Sequence, residues 1–302
     1  MRIVAAILGA CFAVTAWAQQ AGGYSAGPGL SPMAAPADES DAGVADSPPF
    51  TTRIHSYRAS PAFTQDREFT TTRMWVLDPG VFTVEQWWTG YWGSPNDHFF
   101  QTELEWGVVH HVQLDLYANY EFNQRADGTY QVAVGGHTGI AAEVRVALGD
   151  FWGQIPGNPT LYFELTSQYY NSPRAEFRLL LGDTVLTPKL LGALNLAFER
   201  NIFRDSSTGI DYEIKADVGL NYEVVKGILR LGAEGVFGFD SHGTVDAQGK
   251  TLLHPVAQLG PSFLLTEPKK RVKLLGALLH GFADWDPGWT SVLIVSTTFG
   301  GS

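Results

Sequence analysis

The chain has 302 residues, 45% of them hydrophobic and 17% charged, and its 20 Lys and Arg against 31 Asp and Glu give a formal net charge of −11. Its 9 Trp, 11 Tyr and 18 Phe exclude wholesale disorder, because disordered chains combine few apolar residues with high charge. Nucleic acid is not an expected partner, since the sequence has no basic region that could neutralise a phosphate backbone.

Residues 1–18 have the composition of a secretory signal. Arg2 precedes an apolar stretch that ends in an A-x-A cleavage site before Gln19, and this stretch is shorter than the about 20 residues that a spanning helix needs. We therefore expect residues 1–18 to be cleaved on export. Cys11 is the only cysteine, so the exported chain is expected to contain no disulfide and no Cys metal ligand.

Residues 19–66 form a predicted leader that is rich in Ala, Gly, Pro and Ser, with acidic residues and no Lys or Arg before Arg53. This composition is typical of disorder. The leader could be a periplasmic tether, a plug for whatever follows, or an unselected spacer, and the sequence leaves all three open. The remaining residues, 67–302, are assigned to the folded domain.

A two-residue periodicity dominates the chain beyond Val81, and it is clearest in residues 210–224. There the even-numbered positions are apolar or aromatic, and the odd-numbered ones are Asp, Glu, Lys, Asn or Gly. A strand places such alternating residues on opposite faces, whereas a helix would scatter the charges around its circumference. The same pattern predicts twelve strands, near residues 81–91, 98–109, 112–123, 137–148, 160–170, 175–182, 190–200, 210–224, 228–238, 255–266, 271–282 and 289–299.

The predicted fold is all-β: a closed antiparallel transmembrane β-barrel of about 12 strands in an up-and-down meander. A soluble sandwich buries its apolar face, while a membrane barrel turns it towards lipid. Four features favour the barrel. The chain is exported, its strands are roughly twice the five or six residues usual in soluble proteins, the charges within a strand share one face, and aromatic residues gather near strand ends. A closed barrel is also the only sheet that leaves no unpaired backbone in lipid.

The links between strands support a barrel and predict a specific first hairpin. Short links alternate with longer ones at 124–136, 201–209 and 239–254, as expected when short turns face the periplasm. Directly paired residues share a face, so Val109 cannot pair with Val112 across a two-residue turn without reversing the alternation. We therefore expect an odd loop, with Val109 opposite Gln113.

The polar faces of the strands are expected to line a lumen in which acids outnumber bases. The predicted solute path is lined by Glu103, Glu105, Asp115, Glu121, Glu143, Arg145, Glu164, Glu176, Arg178, Glu199, Glu213, Lys215, Asp217, Arg230 and Glu234. Such an interior favours cations or polar neutral solutes over anions. Around Glu164, the residues of the neighbouring strands should form one charged ladder, which either faces a solute path or cross-links a lumen that conducts nothing.

No catalytic, metal or cofactor site is predicted. Outer-membrane lipases of twelve strands carry a His-x-Ser pair on one strand, where the base can reach the nucleophile, and none of the eight histidines has Ser two positions later. His110 and His111 would point to opposite faces of a strand end, with no Cys or clustered carboxylate beside them. The chain is therefore not expected to be an enzyme or to bind a metal.

Two segments carry a family resemblance: IAAEVRVALGDFWGQIPGNPTLYFELT at 140–166 and AEFRLLLGDTVLTPKLLGALNLAFER at 175–200. They resemble a broad group of poorly characterised outer-membrane barrels, some of which are named as transporters associated with phenol-degradation operons. The resemblance covers residues 79–299. It implies a twelve-stranded barrel and uptake of small hydrophobic or aromatic compounds, and it carries over no binding residue. The ending after Phe299, Gly-Gly-Ser, departs from the usual terminal aromatic.

The sequence thus predicts a monomeric barrel in the outer membrane of a Gram-negative cell, with membrane lipid and the barrel-insertion machinery as partners. The first functional hypothesis is a passive channel or transporter for small-molecule solutes through a charged, mainly acidic lumen. The second is a non-conducting structural or surface-binding barrel whose loops at 124–136 and 239–254 bind a partner. A soluble periplasmic β protein is the third.

Overall fold

The computed structural model describes residues 62–65, 67–92, 97–124, 129–132, 138–168, 172–203, 211–241, 251–268, 272–283 and 288–300. The predicted signal lies outside the described residues, as does the predicted leader except for Ala62–Gln65. These four residues form a 3-10 turn. The ring of its Phe63 packs edge to face against the ring of Trp152, with the centroids 5.4 Å apart. The disordered leader stays a prediction. Among the described residues, no helix is long and apolar enough to cross a membrane.

The described residues form thirteen β-strands. They are β1 (Phe82–Trp92), β2 (Asp97–Val109), β3 (Val112–Gln124), β4 (Tyr130–Val132), β5 (Gly139–Ala147), β6 (Thr160–Gln168), β7 (Arg174–Thr184), β8 (Leu190–Asn201), β9 (Tyr212–Val225), β10 (Leu229–Asp240), β11 (His254–Thr266), β12 (Val272–Gly281) and β13 (Trp289–Phe299). The twelve predicted strands agree with these bounds to within two residues. Strand β4 is additional and lies inside the predicted link 124–136.

The sheet closes on itself. Strands that are neighbours in the chain pair antiparallel, and β1 pairs with both β2 and β13. Strand β4 pairs with the last residues of β3 and β5 pairs with the earlier ones, so β4 and β5 occupy one position in the wall. The fold is therefore the predicted closed antiparallel barrel of twelve strands in an up-and-down meander.

The two faces of the wall differ as the alternation predicts. In β3, Leu116 is 55% exposed, whereas Asp115 and Tyr117 beside it are 1% and 8% exposed. The outward face includes Leu104, Ile140, Phe163, Phe177, Leu196, Ile214, Leu220, Leu231, Leu259, Phe263, Leu278, Leu293 and Val295, all of them exposed. An apolar surface this extensive is foreign to soluble monomers and is what contact with hydrocarbon requires of a barrel.

The first hairpin differs from its prediction. Val109 pairs directly with Val112 across the turn at 110–111, so the expected odd loop with Val109 opposite Gln113 is wrong. The register shifts between Gly107, which pairs with Gln113, and Val109. Because a β-bulge sets two residues of one strand against one of its partner, the parity is reversed inside β2 rather than in the loop.

The barrel has two unlike ends. The short-turn end carries the first residue of β1, the last residue of β13 and the links 110–111, 148–159, 185–189, 226–228 and 267–271. The long-loop end carries the links 93–96, 125–138 with β4 inside it, 169–173, 202–211, 241–253 and 282–288. Link 148–159 is longer than the others at its end, and its Trp152 packs edge to face against Trp75, with the ring centroids 5.7 Å apart. This link therefore folds against residues inside the barrel.

Residues 67–77, here called the inner segment, lie within the barrel rather than in its wall. The buried apolar side chains of the inner segment are Phe69, Met74, Trp75, Val76 and Leu77. Phe69 and Met74 pack against Leu191 and Ala193 of β8. The apolar core at the short-turn end is thus built around a segment that belongs to no strand.

Candidate functional site: the barrel lumen

A continuous row of carboxylates follows the inner face of the wall from β2 to β10. This acidic row consists of Glu105, Asp115, Glu143, Glu164, Glu176, Glu199, Glu213 and Asp240, each paired directly with the next across neighbouring strands. Glu105 lies near the short-turn end of β2, and Asp240 is the last residue of β10 at the long-loop end. Because barrel strands are tilted, the row passes along the lumen from one end to the other.

A basic row runs beside the acidic row, two residues closer to the short-turn end. It consists of Arg145, Tyr162, Arg178 and Lys215, with Ala197 between the last two. Residues two apart on a strand share a face, which brings each base beside the acid of its own strand. Arg178 Nε lies 2.7 Å from Glu176 Oε1, and Lys215 Nζ lies 2.9 Å from Glu213 Oε2. Arg145 likewise bonds Glu143.

The aromatic member of the basic row separates its two arginines. The guanidinium carbons of Arg145 and Arg178 lie 5.6 and 4.9 Å from the ring centroid of Tyr162, within the range of a cation–π contact. The Tyr162 hydroxyl donates to Glu164 at 2.5 Å, and Thr166 donates to the same carboxylate at 2.6 Å. Glu164, which has no base on its own strand, is thus held by two hydroxyl groups.

The wall opposite these rows is apolar. Leu264, Leu275, Val292 and Ile294 form one buried cluster on β11, β12 and β13, and Trp87 of β1 packs against it. These side chains face inward, as the burial of alternate residues in β12 and β13 shows. The lumen therefore has one charged wall and one apolar wall.

The inner segment crosses the lumen and is bonded to both sides. Arg67 Nε donates to Glu85 Oε2 on β1 at 2.7 Å, and Arg73 Nη2 lies 3.0 Å from Glu85 Oε1. On the far side, the Thr71 backbone N–H donates to Glu234 on β10 at 2.7 Å. The segment therefore spans from β1 to β10 inside the barrel.

Three further strands hold the inner segment. The Leu77 N–H donates to Gln113 Oε1 on β3, and Asn221 Nδ2 on β9 donates to the carbonyl of Glu68, both at 2.8 Å. Met74 lies so close to Gly182 on β7 that a Cβ atom built there would be 2.7 Å from the Met74 Cβ. These contacts with strands around the wall hold the inner segment across the short-turn half of the lumen.

The ionic contacts of the inner segment meet the two charged rows in one buried group, the arginine–glutamate cluster. It consists of Arg67, Arg73 and Arg145 with Glu85, Glu103, Glu105, Asp115 and Glu143. Arg145 Nη2 lies 3.1 Å from Asp115 Oδ2, and Arg73 bonds Glu105. Three guanidinium groups thus serve five carboxylates.

Arg67 illustrates why the cluster is tolerated. Burial by itself lowers the pKa of this guanidinium, but the neighbouring carboxylates of Glu85, Glu103 and Glu105 outweigh burial, and the pKa is raised above its ordinary value. Two sets of three carboxylates in the cluster can bring their oxygens within 4.8 Å of one another, a spacing that a metal ion could use. The guanidinium groups of Arg67, Arg73 and Arg145 already pair with carboxylates of both sets, so we assign no metal site.

A cavity of about 1320 Å³ lies on the long-loop side of the inner segment, which contributes Arg67 and residues 70–73 to its lining. Its walls combine members of both charged rows with apolar residues such as Val236, Leu279 and Val292. This volume exceeds the range of about 300–1,000 Å³ usual for ligand pockets. The cavity therefore has room for a small solute together with water.

Most residues of the predicted solute path border this cavity: Glu103, Glu121, Arg145, Glu164, Glu176, Arg178, Glu199, Glu213, Lys215 and Asp217. The others also face inward but are engaged elsewhere. Glu105, Asp115 and Glu143 are buried in the arginine–glutamate cluster, and Glu234 accepts hydrogen bonds from the inner segment. Arg230 Nε lies 3.3 Å from Glu68 Oε2.

Sequence reasoning missed four bases that face the lumen: Arg67, Arg73, Arg174 and Lys273. Arg174 Nε lies 2.7 Å from Glu199 Oε1, and Lys273 is buried. The alternation along the strands could have identified Arg174 and Lys273. Arg174 lies two positions before Glu176 and Lys273 two positions before Leu275, so each base shares a face with an inward residue. Arg67 and Arg73 lie outside every strand, so alternation carries no signal for them. Together these bases reduce the excess of acid that the strands alone predict.

No family model and no curated protein matches the chain. An outer membrane channel from Pseudomonas putida F1 is similar in structure, with a TM-score of 0.50 and 12% identity over 80% of this chain and 100% of that chain. A NanC porin gives 0.47 and 11% over 72% and 100%, and the translocator domain of the autotransporter NalP from Neisseria meningitidis gives 0.43 and 10% over 73% and 88%. At these identities the likeness to the channel shows the fold alone, that of an outer-membrane β-barrel. The resemblance to phenol-operon transporters stays a prediction.

Proposed function

We propose that the protein is a passive, non-enzymatic outer-membrane channel for small molecules. The observation that carries this proposal is the cavity of about 1320 Å³ inside the closed barrel, bordered by the acidic and basic rows. A polar interior surrounded by an apolar exterior is the arrangement by which barrels conduct solutes through a membrane. The acidic row extends beyond the cavity to the short-turn end, which offers a path of continuous polar contacts.

The outward face supports an outer-membrane location. Its exposed leucine, isoleucine, valine and phenylalanine side chains suit contact with lipid, and the predicted signal would direct the chain out of the cytoplasm. In such barrels the short turns face the periplasm and the long loops face outside. The cavity would then be filled from the cell exterior, with the inner segment on its periplasmic side.

The two walls suggest which solutes pass. A molecule with a charged group and an apolar part could contact the charged rows and the Val292 side of the cavity together. The family resemblance implies small aromatic compounds, which the apolar wall could accommodate. The remaining excess of carboxylates favours cationic or neutral solutes over anionic ones.

A liposome-swelling assay on the refolded protein tests the proposal, with sugars, amino acids and small aromatics of graded size, after heat-modifiable gel mobility has confirmed that a barrel forms. Val292→Trp places an indole in the cavity from the apolar wall, and Leu293→Trp places the same group on the outward face. We expect swelling that Val292→Trp slows and Leu293→Trp leaves unchanged. Complete impermeability to every solute, persisting after the inner segment is detached, would rule out a channel.

The inner segment itself favours a second candidate function, a non-conducting barrel whose loops bind a partner. A lumen crossed by a bonded segment is what such a scaffold would show. This candidate predicts sealed vesicles around a folded barrel, and binding of a partner that is lost when the links at 124–136 and 239–254 are shortened.

A further inference from the structure

The inner segment is joined to the barrel by a backbone hinge and held in the lumen by side chains. At the hinge, residues 78–81, Gly80 N donates to the carbonyl of Gly107 at 2.8 Å, and Gly107 N donates to the carbonyl of Val81 at 2.9 Å. Gly80 has a φ of +79°, a conformation that glycine adopts without strain. In contrast, the hydrogen bonds described above for the inner segment each involve a side chain. The segment can therefore leave the lumen without unpairing a strand.

The ionic part of this attachment is incompletely satisfied. Arg73 Nε and Nη1 are buried without a hydrogen-bond partner among the described residues, and so is Glu105 Oε1. Buried ion pairs offset their desolvation only when the remaining donors and acceptors are also bonded. The arginine–glutamate cluster therefore adds little net free energy to the attachment of the inner segment, whose apolar side chains are buried as well.

Departure of the inner segment would change the charge of the lumen. Arg67 and Arg73 leave with it, so that five carboxylates of the cluster then face the single guanidinium of Arg145. The vacated position also has an aromatic face, since the guanidinium carbon of Arg67 lies 4.2 Å from the ring centroid of Trp87. Carboxylates on one side and an indole on the other are the two elements of a site for organic cations.

We propose that the inner segment is a gate, and that Arg67 and Arg73 occupy, in the closed state, the site through which small organic cations with guanidinium or ammonium groups pass when the gate is open. This inference rests on the proposed channel function and adds to it a regulation and a solute class. Opening and cation selectivity are then one event, because the residues that close the lumen also neutralise it.

The first test measures the open fraction of single channels in planar bilayers. The double variant R67Q/R73Q removes both charges of the gate and should raise the open fraction about tenfold or more. R67K/R73K keeps the charges and should remain mostly closed. The matched control is K189Q/K226Q, which removes the same charge from two exposed turns at the same end of the barrel and should behave like the natural chain.

The second test measures selectivity as the reversal potential under a salt gradient, with potassium and methylguanidinium as the cations. Open R67Q/R73Q channels should prefer both cations over chloride. Adding E85Q, E103Q and E105Q to this variant removes the carboxylates that the arginines had covered, and the reversal potential should move towards zero. A preference for chloride in R67Q/R73Q, or no change on adding the three glutamine substitutions, would overturn the cation site.

The outcomes separate this inference from the proposed function. If the natural chain, R67Q/R73Q and the lysine control pair conduct equally, and Val292→Trp blocks all of them, the barrel is a channel and the gate is refuted. If R67Q/R73Q and a chain lacking residues 67–77 both stay sealed while heat-modifiable mobility shows folded barrels, the channel function itself fails. A tenfold rise confined to R67Q/R73Q and the deletion supports both.

Discussion

A single methyl group on the barrel wall is predicted to open the lumen. In Gly219→Ala, on β9, the new Cβ would lie 2.5 Å from Cδ1 of Phe69 in the inner segment. Ordinary carbon contacts lie near 3.5–4.0 Å, so the ring would have to retreat by about 1 Å. Phe69 is 1% exposed and packs against Met74, Leu191 and Ala193, which restrict its movement. The clash therefore destabilises the position of the whole inner segment in the lumen.

The magnitude follows from the cost of overpacking, about 1–3 kcal/mol for a well-packed core. The clash exists only while the inner segment occupies the lumen, so this cost raises the free energy of the closed state and leaves that of the open state unchanged. The ratio of open to closed channels should then rise about 5- to 150-fold. Single-channel recordings measure this ratio directly as the fraction of time spent open.

Gly276→Ala, on β12, is the matched control. Its new Cβ would lie 2.5 Å from Cε1 of Phe263, which is the same kind of clash on the outward face. Phe263 is 38% exposed, so its ring can turn away from the methyl group, and the open fraction should stay that of the natural chain. Equal open fractions in the two alanine variants, both of unchanged thermal stability, would refute the argument that the inner segment closes the lumen.

Leu116→Arg on the outward face should lower the free energy of unfolding from vesicles by about 2–4 kcal/mol, because it places a charge in lipid. The control is Leu186→Arg, at a turn residue that is 95% exposed, which should leave this free energy unchanged. Equal losses in the two variants would argue against lipid at Leu116. His111→Gly should raise the free energy of unfolding by about 1 kcal/mol, since a φ of +71° strains any residue with a Cβ. The control, His110→Gly, should not raise the free energy of unfolding. An equal increase in both variants would refute backbone strain at His111.

The strands were predictable from the sequence because each separates two different environments. In β9, Asp217 faces the lumen and Val218 faces outward, and one unbroken alternation carries that distinction over the length of the strand. The three strands with a less clear alternation, β11 to β13, are those of the apolar wall. Leu275 and Leu279 face inward while Leu278 faces outward, so both parities are apolar and the pattern loses its contrast.

The first hairpin could not be predicted because the parity argument counts residues in the loop. The bulge at Gly107 adds its extra residue inside β2, and a Cβ at Gly107 would lie against the carbonyl of Asp78. The bulge is thus placed where the hinge of the inner segment touches the wall. Nothing in the local sequence of β2 reports a contact with a segment that precedes β1.

The inner segment was missed for a related reason. Its extended conformation has no partner strand, so Arg67 and Arg73 belong to neither face of the wall and were not counted among the lumen charges. The repulsion between acids paired across neighbouring strands would have indicated these two arginines. Glutamates that face each other directly across β1 and β2, such as Glu85 and Glu103, repel each other, and a closed lumen needs a base to offset them.

The same argument extends along the acidic row. Directly paired carboxylates destabilise a sheet, and on β5, β7 and β9 each acid is offset by a base two positions away on its own strand. On β6 the hydroxyl groups of Tyr162 and Thr166 bond Glu164 instead. At the short-turn end, on β1 and β2, the offsetting charges come from the inner segment. A barrel whose balance of charge depends there on a removable segment must attract cations from solution when that segment leaves, so its opening and its selectivity share one electrostatic cause.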